Sequence, residues 1–174
     1  MKLSKISVVL MLAILLSLGS ASTASAGGSI FAGVDFPTGG FSDGAKTGWT
    51  AGGIYGFDLM PIVDLGAYVA YSDFSTSLTD IQVIDDALGG SINVWELHAL
   101  GSLSFGFLKG SLGLGVASYS DVDENLESSR STDFSWQLGL AASFSKLEAR
   151  LAYHQVPVDQ SSINWVSLTL GLGF

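Results

Sequence analysis

Residues 165–174 read Trp165-Val-Ser-Leu-Thr-Leu-Gly-Leu-Gly-Phe174. Side chains alternate sides along a strand, so Val166, Leu168, Leu170, Leu172 and Phe174 share one face, and Ser167, Thr169, Gly171 and Gly173 the other. One face is greasy and the other is small or polar. A soluble protein seldom ends this way, because a frayed terminus of Leu, Leu and Phe would sit in water.

The same alternation recurs upstream. Period-2 reading gives eight candidate strands, near 28–36, 48–58, 62–72, 92–106, 110–119, 134–145, 147–156 and 163–174. The sixth is the cleanest: Phe134, Trp136, Leu138, Leu140, Ala142 and Phe144 alternate with Ser135, Gln137, Gly139, Ala141, Ser143 and Ser145. The first two are noisier, because Phe31 and Ile54 land on the polar face. The gaps after strands two, four and six, at Leu59-Met60-Pro61, Gly106 to Lys109 and Ser145-Lys146, are tight, whereas the others are longer. An even strand count with short turns at one end and long loops at the other is the layout of a transmembrane barrel. The expected fold is therefore all-β, an eight-stranded, antiparallel, up-and-down transmembrane β-barrel.

The start of the chain carries an export signal: Lys2 and Lys5, an apolar run from Val8 to Leu18, and the small-residue site Ala24-Ser25-Ala26. The run is too short for a membrane helix, which needs roughly 20 residues. Residues 1–26 are thus expected to be a signal peptide and 27–174 the barrel domain. The formal charge of -9 becomes more negative by two once Lys2 and Lys5 are removed, which argues against nucleic acid as a partner. With no cysteine, disulfides and thiolate metal sites are excluded. Only 13% of residues are charged, beside 22 Gly, an unusual balance for a soluble surface.

Two further features favour lipid over a soluble core. The second face is mostly Gly, Ala, Ser and Thr, which suits the crowded lumen of a closed eight-stranded barrel. The aromatics are also sorted by height: Trp49, Trp95, Trp136 and Trp165 lie at or near the start of even strands, and Phe57, Phe105, Phe144 and Phe174 close them. At about 3.3 Å per residue and a tilt of about 40°, each pair spans roughly 20 to 25 Å, near the height of a barrel's apolar band. These residues are expected to form two aromatic girdles.

With this pattern, the chain resembles the small outer-membrane β-barrel proteins of the OmpX/OmpA transmembrane-domain type. The closing strand is similar to theirs, with Leu170, Leu172 and the final Phe174 matching the signal read by the barrel-assembly machinery. The segment from Phe36 to Trp49, Phe-Pro-Thr-Gly-Gly-Phe-Ser-Asp-Gly-Ala-Lys-Thr-Gly-Trp, resembles the first loop and second-strand entry of many members. The resemblance implies residence in the bacterial outer membrane, contact with its lipids and lipopolysaccharide, and a monomer, with no cofactor and no resident metal. It specifies architecture rather than a shared activity. With Phe174 the last residue of the sequence, the peptidoglycan-binding domain of longer relatives is expected to be absent.

Candidate chemistry is sparse. Asp35, Asp64, Glu96, His98, Glu148 and Arg150 are placed on the lumen face, and Arg150 without a partner there would be costly, so a paired polar cluster is expected, with Glu148 and Glu96 as its candidate partners. Such a cluster acts as a structural plug or lines a narrow pore. The lipid A deacylases carry a His-x-Ser pair, but His98 is followed by Ala99-Leu100 and His154 by Gln155-Val156. The run Asp121-Val-Asp123-Glu124-Asn125-Leu126-Glu127 departs from a calcium loop at Leu126 and at Thr132. The short turns carry Lys109 and Lys146, expected near periplasmic phosphates, while the long loops are acidic, with only Lys46 and Arg130 as bases. The expected role is non-enzymatic and structural or interactive at the cell surface, with a narrow pore and a lipid A-modifying enzyme as alternatives.

Overall fold

The computed structural model describes residues 26–60, 62–76, 91–122, 128–158 and 161–174. The signal peptide expected over 1–26, apart from Ala26, and the calcium-like residues 123–127 lie outside the described residues.

Eight strands form: β1 (Ala26–Thr38), β2 (Ala45–Met60), β3 (Val63–Thr76), β4 (Ser91–Phe105), β5 (Leu108–Val122), β6 (Ser128–Phe144), β7 (Leu147–Val158) and β8 (Ser161–Gly173), with a 3₁₀ turn over Gly39–Asp43. Each pairs antiparallel with its neighbour in sequence, and β1 pairs with β8 from Ser29↔Gly173 to Thr38↔Asn164, which closes the barrel. Closure matters because a sheet edge this long and apolar would otherwise recruit other chains. The backbone of Phe174 completes the seam, donating to the Gly28 carbonyl at 2.8 Å and accepting from its N–H at 3.1 Å.

Two of the turns at the short-turn end are two-residue hairpins that require positive φ. Gly106 supplies it at 62°, and Ser145 adopts it at 57° despite its side chain. Most strands run further toward the long-loop end than hydrophobic alternation indicates; β6 begins at Ser128 rather than near 134.

The barrel is apolar outside and polar inside. Leu170 is 69% exposed and Leu140 65%, with Ile30, Leu138, Leu151 and Leu168 on the same outer surface. Inward-facing Glu96, His98, Ser135, Gln137, Arg150 and His154 are buried. Phe31 and Ile54, the apparent noise of the first strands, belong here: Phe31, Tyr68, Ala70 and Leu100 form a small apolar cluster in the lumen, and Ile54 packs against it.

The aromatic girdle needs one correction. Trp49, Tyr71 and Trp95 form a ladder on the outer wall, with ring centroids 5.3 and 5.0 Å apart, and Trp136 pairs with Tyr153. Phe105 and Phe144 project outward at the opposite end, where Phe107 stacks on Phe144; Phe57 is half-buried there. Trp165, however, is 0% exposed and lies inside the lumen. It shares the parity of Ser167 and Thr169, so the pleat turns it inward whatever its height along the strand.

Candidate functional site

The lumen is built in tiers. Nearest the long loops, Ala45, Phe74, Val94, Ala117, Val156 and Trp165 form an apolar plug. Its rings interlock: Phe41 meets Phe74 edge-on at 5.1 Å, and Phe74 meets Trp165 at 5.7 Å. Trp165 in turn lies flat on His154, with centroids 4.8 Å apart.

Below this plug comes a polar tier. His154 Nδ1 approaches both oxygens of Glu96, at 3.2 and 3.0 Å, and Glu96 also lies 3.5 Å from His98 Nε2. Asp35, fully buried, accepts a hydrogen bond from Ser167. Ser72 donates to Thr50 at 3.1 Å, and Thr50 to the Tyr71 carbonyl. Of these contacts, His154 with Glu96 joins β7 to β4, strands that are not neighbours, and braces the barrel across its interior, whereas the Asp35–Ser167 and Thr50–Ser72 pairs tie adjacent strands at directly opposed positions.

The next tier centres on Gln137. Its Oε1 accepts from Arg150 Nη2 at 3.1 Å, which turns its Nε2 toward His98 Nδ1 at 2.9 Å. An amide nitrogen only donates, so His98 Nδ1 is the acceptor and the ring proton of the neutral histidine resides on Nε2. Nε2–H then points at Ser135 Oγ, 2.6 Å away. A serine nucleophile needs the opposite arrangement, a bare histidine nitrogen ready to take the hydroxyl proton. Ser135 is also fully buried. The Ser135–His98–Glu96 grouping is thus a structural network in the orientation that does not activate the serine.

Arg150 does not pair as its neighbourhood in sequence suggests. Nη2 also donates to Ser111 at 3.0 Å, and the guanidinium lies 5.7 Å from the centre of the Tyr68 ring. Among the described residues no carboxylate makes an ion pair with it. Glu148, two residues away on the same face, instead accepts from Ser143 at 3.3 Å. Lys109, expected in a short turn, lies at the start of β5 and forms a 2.7 Å ion pair with Asp64, which also accepts from Ser104.

The six lumen residues singled out from the sequence therefore separate. Asp35, Glu96 and His98 belong to the polar middle, Asp64 and Glu148 to the short-turn end, and Arg150 lies between. Gln137, Ser135, Ser111 and His154, which join these groups, were not among them. Their parity on β5, β6 and β7 is the signal that marks them as inward.

This is the architecture of the small eight-stranded outer-membrane barrels, the group the sequence resembles. Among solved structures the chain is similar to the attachment invasion locus protein Ail of Yersinia pestis, with TM-score 0.55 and 14% identity over 86% of this chain and 99% of that one. Ail is described as an outer membrane protein and has been solved with the heparin analogue sucrose octasulfate. Neisserial surface protein A matches with TM-score 0.53 and 14% identity over 87% of this chain and 98% of its own. The N-terminal β-barrel domain of Pseudomonas aeruginosa OprF matches with TM-score 0.50 and 17% identity over 87% and 100%. At these identities the likeness shows the fold. No protein-family description and no curated protein matches the sequence.

Proposed function

We propose that this protein is an integral outer-membrane barrel without catalytic activity, a scaffold that presents acidic loops at the cell surface. The observation that carries the reading is its inside-out distribution: an outer wall of exposed Leu, Ile, Phe and Trp around a buried, hydrogen-bonded interior. Water does not tolerate an apolar surface that extensive on a monomer, whereas hydrocarbon does. Export by residues 1–26, insertion by the barrel-assembly machinery through Leu170, Leu172 and Phe174, and a monomeric state among lipids and lipopolysaccharide belong to the same reading.

Fractionation tests it. The protein is expected in the outer membrane, resistant to alkaline extraction, with a folded form that migrates faster than the boiled form on a detergent gel. Recovery as a detergent-free periplasmic protein would overturn it. A paired substitution tests the facing. Lys at Leu168, on the outer wall, is expected to lower the free energy of unfolding in lipid vesicles by about 2 to 4 kcal/mol. The inward Thr169 is a poor control, because it is 4% exposed in a packed lumen. Ser102, half-buried where the lumen opens at the short-turn end, is the better one, because Lys there meets a water-accessible cavity rather than hydrocarbon and should cost less than Lys at Leu168.

The pore alternative predicts steady unitary conductance in planar bilayers. The apolar plug opposes it, since its interlocked rings fill the lumen, and no such conductance is expected. The lipid A enzyme alternative is opposed by the tautomer that Gln137 imposes on His98; expression is expected to leave lipid A acylation unchanged. The sulfated ligand seen on Ail is a polyanion, and the acidic loops of this chain would repel one.

A further inference from the structure

At the short-turn end the lumen opens into a cavity of about 240 Å³. A single water needs only about 10 to 15 Å³ of such space, so the cavity has room for several waters or a small solute. Arg150 forms part of its inner wall, Lys109, Asp64 and Glu148 also line it, and Asp58 and Lys146 stand at its mouth.

Lys109 and Asp64 satisfy each other. Arg150 does not have that balance: it is 6% exposed, its Nη2 is held by the neutral Ser111 and Gln137, and its Nε has no hydrogen-bond partner among the described residues. A buried cation with only neutral hydrogen-bond partners gains most from an arriving anion, because its desolvation is already complete and its Coulombic compensation is not. Yet a bare anion would also meet Glu148 and Asp58, neither of which is in an ion pair among the described residues. A ligand carrying both signs answers both ends of the cavity.

We infer that this vestibule binds a small zwitterion of amino-acid or dipeptide size, its carboxylate directed to Arg150 and its ammonium to Glu148. Only the compartment that supplies the ligand, the periplasm, rests on the membrane reading above. The site is formed wholly by the barrel's own side chains, so binding can be measured in detergent, where both ends of the lumen meet solvent.

Amide NMR titration of the full-length barrel in micelles, with glycylglycine, acetate, ethylammonium and inorganic phosphate as separate probes, tests it. Glycylglycine is expected to give saturable shifts at Gly139, Glu148 and Arg150, with an affinity about tenfold or more above that of any single-charge probe. Arg150→Gln should abolish the response. Glu148→Gln, near the solvent and outside the Gln137 network, should reduce glycylglycine to the level of acetate while acetate binds at least as well as before. Absence of saturation with glycylglycine, equal affinity for acetate or phosphate, or an unchanged response in folded Glu148→Gln would each overturn the inference. Since cell fractionation is independent of these titrations, failure here and failure of the membrane reading are separable.

Discussion

Gly33→Ala is expected to prevent the barrel from closing. Gly33 lies on β1 opposite Thr169 of β8, at the seam that joins the first strand to the last. A Cβ added there would come 2.1 Å from the Leu168 carbonyl oxygen and 2.7 Å from the Thr169 Cα. Overpacking usually costs about 1 to 3 kcal/mol because side chains can shift aside. Here the obstacle is backbone, so β1 and β8 would have to separate and forfeit ladder hydrogen bonds. The expected loss exceeds about 3 kcal/mol, and the fast-migrating folded form should vanish from a detergent gel. Gly101→Ala is the matched control: on β4, with no atom within 4 Å of the added Cβ, it should fold as the parent does. A Gly33→Ala protein of parental stability would mean that the β1–β8 register is different.

Trp165→Ala should be the most damaging of the tryptophan replacements. Trp165 is fully buried between His154 and Phe74, and truncation of a buried aromatic costs about 3 to 5 kcal/mol. Trp49 and Trp95 are each about half exposed on the outer wall, so Ala there removes less contact and a smaller effect is expected. Chemical denaturation in vesicles ranks them. Brominated lipids supply a second measurement on single-tryptophan variants: Trp49, Trp95 and Trp136 should be quenched and Trp165 spared. Strong quenching of Trp165 would return it to the girdle and remove a central piece of the plug.

The eight strands, their antiparallel order and the short turns were legible because alternation is a local property, imposed every two residues by the pleat. Trp165 shows how that signal can be overridden in reading: its place near a strand start suggested a girdle, although Ser167 and Thr169 already fixed its side. Strand length was harder to read. Beyond the girdles, pairs such as Ser118↔Thr132 and Ser120↔Arg130 carry no greasy face, yet their backbones continue the ladder. Which lumen side chains meet was not legible either. Arg150 and Glu148 are two residues apart on one strand, but Arg150 reaches Gln137 and Ser111 while Glu148 turns to Ser143. That choice depends on the stagger of strands across the interior, which no single strand records.

The plug formed by Phe74, Val94, Val156 and Trp165 stops one end of the lumen and leaves the other recessed. If the barrel resides in the outer membrane and does not conduct, as proposed above, a bilayer crowded with such barrels would keep its electrical resistance, because each copy would add protein without adding a leak. Abundance would then carry no osmotic penalty, and a cell could cover much of its outer face with these loops while still holding back small hydrophilic toxins.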